Sequence, residues 1–309
     1  MKIVVTGGAG FIGSHLVESL LLESHQLLVF DNLLTGKKEN LNFDNNKNFQ
    51  LVVDDFGSES SLQQIKDFDP DICYHLAAQS SVVISVKDPA LDFEHNILQP
   101  IKLIQTLLTT NCKKLVFTSS GGTIFGEPIV IPTGEDDFAG EPESPYGVAK
   151  KRLNELISIM TKESSLSYSI LNLSNVYGPR QDPNGEAGVV SIFANKYLTN
   201  QQPIIYGDGF QTRDYIFVKD VVSALIKSST FDENLFLNIG TGVETSVNEL
   251  ALAMKEEFSS NIEPIFHEER VGELKRSVLN NNKAKNILKW KPEYELKSGM
   301  KEVFAWLKS

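Results

Sequence analysis

Two short patterns in the sequence bring together residue types that do chemistry. Residues 144–150 read SPYGVAK, which places Tyr146 four residues before Lys150. Residues four apart share one face of a helix, so phenol and ammonium reach a common site. An ammonium beside a phenol favours the phenolate and lowers its pKa, giving a general base usable near neutral pH. Chance alone supplies about 0.6 such pairs in a chain of this composition, so position matters more than pattern. The pair indeed recurs as Tyr215–Lys219 in RDYIFVKD. That run is strand-like, which spreads residues four apart, and it reads as structural. The second pattern is glycine-rich: Thr6-Gly7-Gly8-Ala9-Gly10-Phe11-Ile12-Gly13. Gly8, Gly10 and Gly13 fit G-x-G-x-x-G, and Gly7 adds a second spacing. Such glycines permit a tight turn and close approach of backbone to a pyrophosphate, while the following helix directs free N–H groups at the anion.

These residues need elements to place them. Lys2–Val5 is a short β-branched run that reads as a buried strand, and Phe11–Leu22 has helical apolar spacing. Strands are expected at Gln26–Phe30, Phe49–Val53, Asp71–Leu76, Lys114–Thr118 and Tyr168–Leu173. Helices are expected at Ser61–Phe68, Leu91–Leu108 and from Ser144-Pro145 to about Glu163. Pro100 should bend the second of these helices or remove a hydrogen bond. Strands alternating with helices imply an α/β fold with a doubly wound parallel sheet of Rossmann type. Ligands gather at the carboxyl ends of such strands, where the polar and glycine-rich clusters stand. Asp31 ends the second strand, 18 residues after Gly13. A carboxylate there accepts ribose hydroxyls and repels a 2′-phosphate, so the expected dinucleotide is NAD and not NADP.

After Asn175 the alternation loosens. Gly178–Gly188 reads as a loop, Val189–Leu198 and Ser246–Phe258 as helices, and Leu235–Ile239 as a strand. Lys283–Leu288 and Gly299–Leu307 read as short helices. The expected division is an NAD-binding Rossmann domain over 1–174, rejoined by about 213–241. A smaller mixed α/β region over 175–309 would bind substrate at the C-terminal side.

Bulk properties exclude several classes. The 309 residues are 41% hydrophobic and 22% charged, ordinary for a globular protein. A net charge of -11 argues against a grip on nucleic-acid phosphates, which needs clustered Lys and Arg. A few placed arginines still suffice for a small anion. No segment reaches the length of a membrane span, and the N-terminus lacks the features of a cleavable signal. Cys73 and Cys112 form no CxxC pair or framework, which suits a reducing compartment. A cytoplasmic location is expected.

With these motifs in order, the chain resembles the extended short-chain dehydrogenase/reductase family, and within it the nucleotide-sugar 4-epimerases. The shared segments include TGGAGFIGSH at 6–15, Asp31-Asn32, Asp54-Asp55-Phe56, HLAAQ at 75–79 and Asn96. They continue through TSSGGTIFGE at 118–127, SPYGVAK at 144–150 and SNVYGPRQDP at 174–183. YGDGFQTRDYIFVKDV at 206–221, Arg270-Val271-Gly272-Glu273 and Leu288-Lys289-Trp290-Lys291-Pro292 complete them.

The resemblance implies roles. Gly7, Gly10, Phe11, Ile12, Gly13, Asp31 and Asn32 would bind the NAD cofactor. Asp55 and Phe56 would hold the adenine. Ala77, Ala78 and Gln79 would line the cofactor channel with Asn96 close by. Tyr146 would be the base, and Lys150 would bind the nicotinamide ribose. Asn175, Arg213 and Arg270 would hold a nucleotide-sugar diphosphate, for which the guanidinium fork is suited. Surface ion pairing is the bland alternative for the two arginines, but the chain has only five. Val190 and Tyr206 would lie near the uracil. A homodimer through the helices of 91–108 and 145–163 is implied, although their apolar faces would serve equally as core.

There are departures. The family's catalytic Ser or Thr falls on Gly121, which has no hydroxyl. Ser120, or after it Thr123, is expected to supply one if the turn is reshaped. Asn172 replaces a common arginine, and Gln99-Pro100 a usual Gly-Thr; neither is expected to touch the chemistry. Related enzymes share hydride transfer from a sugar carbon to NAD. A 4,6-dehydratase adds an Asp-Glu pair after the catalytic Thr, where this chain has Gly122 and Thr123. UDP-glucuronate decarboxylases add a Glu near the same turn, also missing. What remains is C4 epimerisation of a UDP-hexose, as in galactose metabolism. The glucose, N-acetylglucosamine and glucuronate forms stay open. The other readings are a dehydratase or decarboxylase with displaced acid/base groups, or a non-catalytic NAD-sensing scaffold.

Overall fold

The structure is a computed structural model that describes residues 1–43, 45–137, 140–183, 188–269 and 274–309. Six parallel strands come first: β1 (Lys2–Thr6), β2 (Gln26–Asp31), β3 (Phe49–Val53), β4 (Ile72–His75), β5 (Lys114–Ser120) and β6 (Ser167–Leu173). The connecting helices are α1 (Phe11–Leu22), α2 (Glu59–Phe68), α3 (Val82–Lys87), α4 (Pro89–Phe93), α5 (Gln99–Leu107) and α6 (Pro145–Thr161). Short strands β7 (Asn175–Tyr177), β8 (Ile204–Tyr206), β9 (Thr212–Arg213) and β10 (Tyr215–Phe217) follow, with α7 (Val189–Leu198) after β7. Then α8 (Val218–Ser229) leads into β11 (Leu235–Ile239), which lies beside β6. The main sheet therefore has seven strands in the order β11-β6-β5-β4-β1-β2-β3, all parallel.

Alternation along β1 shows why the strand is apolar throughout. Ile3 and Val5 face one core, built with Leu16, Val17 and Leu20 of α1 and Val221 and Leu225 of α8. Val4 faces the other, built with Ile65 of α2, Leu103 and Leu107 of α5 and Leu153 and Ile157 of α6. A strand covered by helices on both sides has no solvent face to pattern.

The rest of the chain is β12 (Thr245–Ser246), α9 (Val247–Glu257), β13 (Ile265–His267), β14 (Arg276–Ser277), α10 (Asn282–Leu288) and α11 (Leu296–Lys308). Its small sheets pair β10 with β7, β13 with β8, and β12-β9-β14. A third core gathers Phe193 and Tyr197 of α7, Leu250 and Met254 of α9, and Met300 and Val303 of α11. The Leu288–Pro292 motif proves to be a clasp. Trp290, 1% exposed, donates from Nε1 to the Asp220 carbonyl at 3.1 Å. The Asp220 carboxylate accepts from the N–H groups of Glu293 and Tyr294 at 2.8 and 3.1 Å.

The expected single helix over 91–108 is broken. Between α4 and α5, Glu94–Leu98 forms a π-turn in which the Gln99 N–H reaches back to the Glu94 carbonyl. Pro100 has no N–H to continue α-type bonding from Asn96, and it sits in the first turn of α5.

Candidate active site

The glycine turn joins β1 to α1 at the middle of the main sheet. Gly7 has φ +73°, and a Cβ there would stand 2.6 Å from the Ala77 nitrogen. A Cβ at Gly13 would run into the Gly7 carbonyl. Gly10 is the N-cap of α1, with no side chain on the helix's first N–H groups. The helix end thus presents free donors and positive dipole beside backbone that only glycine allows, which fits a dinucleotide pyrophosphate. Asp31 braces this turn. Its carboxylate accepts from Ala9 N and Leu33 N, both at 2.9 Å. Burial pushes its pKa up, and those N–H groups pull it back. Asn32 accepts from Leu34 N at 3.1 Å. Phe11 and Ile12 are half-buried at the helix start and pack against the third core.

At the end of β3, Asp55 accepts from Gly57 N at 3.0 Å and from Gln99 Nε2 at 3.2 Å. Phe56 is buried, its ring 4.9 Å from that of His75, which stacks on Phe117 at 5.5 Å. Half-buried Ala77 and Ala78 follow β4, and Ala77 N donates to Thr6 Oγ1 at 3.4 Å. Gln79 turns inward, and its Nε2 donates to Asp92 Oδ1 at 2.7 Å. Asn96 Nδ2 donates to the same oxygen and to the Gln79 carbonyl, both at 2.9 Å. Asp92 Oδ2 and Asn96 Oδ1 are buried with no protein partner. Two unpaired acceptors beside Gln79 suit a ligand carrying hydroxyls. Gln99 also holds Asp55, and the Pro100-linked π-turn carries Asn96, so Gln99-Pro100 supports two of the residues expected to meet the cofactor.

The Tyr-x-x-x-Lys pair opens α6. Ser144 caps the helix, accepting from Gly147 N at 3.2 Å, and Pro145 occupies the first turn. A Cβ on Gly147 would stand 3.0 Å from the Thr123 carbonyl, so glycine lets α6 dock on the turn after β5. The Ser120 side chain lies near the Tyr146 phenol and draws its pKa down. Thr123 Oγ1 instead donates to the Ser120 carbonyl at 3.4 Å. Gly121 has no room for a side chain, since a Cβ there would collide with Leu279. Lys150, 3% exposed, donates to the Thr118 carbonyl at 3.1 Å. Its Nζ lies 4.7 Å from the Phe117 ring centre and 5.9 Å from that of Tyr146. Burial lowers the Lys150 pKa to about 8 against the pull of Asp92. Burial pushes the Tyr146 phenol up to about 12, the Ser120 side chain opposes this, and Asp92 adds to it. The lowered tyrosine pKa expected from sequence is therefore absent in the protein alone, where desolvation of the phenolate wins.

The remaining candidates lie in the shorter elements after β6. Asn175 begins β7, and its N–H donates to the Asp214 carbonyl at 2.9 Å. Arg213, half-buried in β9, donates to the Thr212 carbonyl at 2.8 Å. Val190 is 1% exposed at the start of α7, packed into the third core. Tyr206 ends β8 with its ring 5.9 Å from that of His267. Arg270 lies outside the described residues.

Sequence reasoning missed three buried polar residues. Asp92 orders Gln79 and Asn96, as above. His75 shares a 2.7 Å hydrogen bond between Nδ1 and Thr6 Oγ1, and burial holds its pKa down at about 3. Asp214 is fully buried and accepts from Thr241 N, Thr241 Oγ1 and Gly242 N at 2.8, 2.6 and 3.1 Å. Asp214 had a signal, as the middle of RDY in the quoted motif. His75 likewise opens the quoted HLAAQ segment, whereas Asp92 looked like an ordinary helix residue.

A doubly wound sheet with a glycine turn, a ribose-ready carboxylate and a half-buried tyrosine beside a buried lysine defines a dinucleotide-dependent enzyme of the short-chain class. The sequence profile of the NAD dependent epimerase/dehydratase family matches residues 3–240, and the chain belongs to that family. Its cofactor is NAD. The UDP-glucose 4-epimerase of Mycolicibacterium smegmatis is 39% identical over 311 residues, 100% of this chain and 99% of its own. The crystal structure of Thermotoga maritima UDP-glucose 4-epimerase with UDP-glucose superposes with a TM-score of 0.95 at 41% identity, covering 100% and 99% of the two chains. That of the Thermus thermophilus UDP-glucose 4-epimerase complex with NAD gives 0.91 at 36% identity, again over 100% and 99%.

Proposed function

We propose that this chain catalyses reversible C4 epimerisation of a UDP-hexose of the UDP-glucose/UDP-galactose type. One observation carries the reading: the turn after β5. There Ser120 lies by Tyr146 with Lys150 buried behind, and Gly122 and Thr123 stand where the resemblance puts the Asp-Glu pair of a dehydratase. The epimerase names of the full-length relatives support it. Bound NAD supplies a hydride acceptor that gives back what it takes. Tyr146 removes the C4 hydroxyl proton as hydride leaves the same carbon. The Lys150 ammonium and a cationic cofactor both favour the phenolate, against the burial that holds the phenol near 12. Ser120 steadies the C4 oxygen. The 4-keto sugar then turns over, and Tyr146 returns the proton once hydride has reached the other face.

The cofactor roles assigned above to the glycine turn, Asp31, Asn32, Asp55, Phe56, Ala77, Ala78, Gln79 and Asn96 belong to this proposal. So do the substrate roles of Asn175, Val190, Tyr206, Arg213 and Arg270, and the division at about residue 174. A homodimer fits the exposed Val82, Val83 and Val86 of α3, Leu91 and Phe93 of α4 and Ile159 of α6. A cytoplasmic enzyme of galactose metabolism fits two buried free cysteines and the proposed substrate.

The test is to incubate purified protein, without added NAD, with UDP-glucose, UDP-N-acetylglucosamine and UDP-glucuronate, and to identify products by NMR. An interconverting C4 pair is expected. A pentose or keto-deoxy product overturns the reading in favour of a decarboxylase or dehydratase. Absence of any product or NADH absorbance change favours the NAD-sensing scaffold.

A further inference from the structure

Asp214 is fully buried, yet the chemistry above makes no use of it. An interior carboxylate is kept only where donors replace the water it gave up. Four donors do so here. Oδ1 accepts from Thr241 N at 2.8 Å and from Thr241 Oγ1 at 2.6 Å. Oδ2 accepts from Gly242 N at 3.1 Å and from Leu279 N at 3.4 Å. The carboxylate thus joins the turn after β11 to the segment after β14. Gly240 lets that turn come so close, since a Cβ there would collide with Oδ2. The main chain of Asp214 makes two more ties. Its N–H donates to the Ser277 carbonyl at 3.0 Å, and its carbonyl accepts from Asn175 N at 2.9 Å. Arg213, immediately before it, pairs with Ser277 in β14 and with Thr245 in β12. Leu279, one of the four donors, packs its side chain with Ile124 and Phe125, just past the turn that holds Ser120.

We propose that Asp214 is a positioning residue for the substrate's diphosphate: its carboxylate fixes the backbone from which Arg213 and Asn175 reach the phosphates. The inference deepens the epimerase reading and rests on its assignment of those two residues. A guanidinium grips phosphate through N–H bonds of fixed direction, so a small swing of its backbone costs much of the grip. Asp214 itself touches no phosphate. The residues tied to it, Asn175, Arg213, Thr241, Gly242, Ser277 and Leu279, include none of those assigned to NAD. Loosening them therefore weakens the grip on the nucleotide sugar and spares the cofactor, whereas a carboxylate that only held the fold together would support both ligands alike.

The test uses the NAD-loaded protein and UDP as the probe, so it needs no turnover. Titration calorimetry reads UDP affinity, and the rate of NAD release is followed on the same samples. Asp214→Asn keeps the size of the side chain but turns an NH2 group on N–H donors. Thr241→Val removes one hydroxyl donor, and Thr241→Ser keeps it. UDP affinity should fall about tenfold in Asp214→Asn and about threefold in Thr241→Val, and return to within about twofold in Thr241→Ser. NAD release should stay within about twofold of wild type in all three. In turnover of a UDP-hexose, KM should rise by the same factors with kcat within about threefold. Where Asp214→Asn does not fold, the Thr241 pair carries the test. Arg213→Ala separates the inference from the reading beneath it, and should weaken UDP at least as much as Asp214→Asn. Weak UDP binding in Arg213→Ala with wild-type binding in Asp214→Asn and Thr241→Val overturns the positioning role and leaves the diphosphate assignment standing. Wild-type UDP binding in Arg213→Ala refutes that assignment, and the positioning role falls with it. Equal losses of UDP and NAD in Thr241→Val overturn the proposal in favour of a purely structural carboxylate.

Discussion

The chain contains Tyr-x-x-x-Lys twice, and the two copies differ in every physical respect. Tyr146 and Lys150 ride one face of α6, the lysine 3% exposed and without an ion pair within 4 Å among those described. Tyr215 begins β10 and Lys219 lies in α8, where the chain changes from strand to helix. Tyr215 is buried, whereas Lys219 is exposed, pairs with Glu302 at 3.3 Å and leans on the Phe217 and Tyr294 rings. A four-residue spacing means a shared site only when the backbone is helical throughout. A lysine is chemically tuned only when it is held away from water. The second copy does what surface lysines do.

The largest contrast should come from the phenols. Tyr146→Phe is expected to lower turnover by about a thousandfold, whereas Tyr215→Phe should stay within about threefold in the same steady-state assay. Equal losses would mean that helical placement is not what distinguishes the copies. At the hydroxyl, Ser120→Ala should cost about tenfold or more in kcat, and Thr123→Val only about twofold, since the Thr123 hydroxyl is turned to a carbonyl. Reversed values would move the catalytic role to Thr123.

The smallest effect is on stability. The folded-state pKa of Lys150, about 8, lies below its ordinary 10.5. Between those values the unfolded chain binds more protons than the folded one, so this group's contribution to stability rises with pH. Below pH 8 the buried charge costs on the order of 3 kcal/mol. Lys150→Met should therefore be more stable than wild type in urea at pH 7, with the gap closing as pH approaches 10.5. Lys219→Met should change stability by less than about 1 kcal/mol at either pH. A Lys150→Met protein that loses stability at pH 7 would show that the ammonium is fully compensated where it lies.

The main sheet was legible because each parallel strand is a short apolar run ending in turn residues. Phe49–Val53 and Leu235–Ile239 were placed to the residue. The helix α8 escaped notice because RDYIFVKD reads as one strand, although the structure turns helical at Val218. Two- and three-residue strands such as β9 and β12 have too little pattern to detect, as their pairing is set by distant loops. At the site, the glycine turn, Asp31 and the Tyr-Lys pair announced themselves through fixed local spacing. The packing of the turn after β5 did not, because Leu279 fills the space beside Gly121 from more than 150 residues away. The resting state of Tyr146 was misjudged for a related reason: spacing shows a neighbouring lysine but not how much water the fold removes.

The late arrival of β11 also bears on how the protein is made. Its partner β6 ends at Leu173, and β11 begins only at Leu235. At synthesis rates of about 5–20 residues per second, the growing chain leaves the β6 edge bare for roughly 3–12 seconds. Throughout that interval the half-built sheet offers unpaired backbone to any neighbouring chain. In the finished sheet β11 covers that edge and becomes the outer strand in its place.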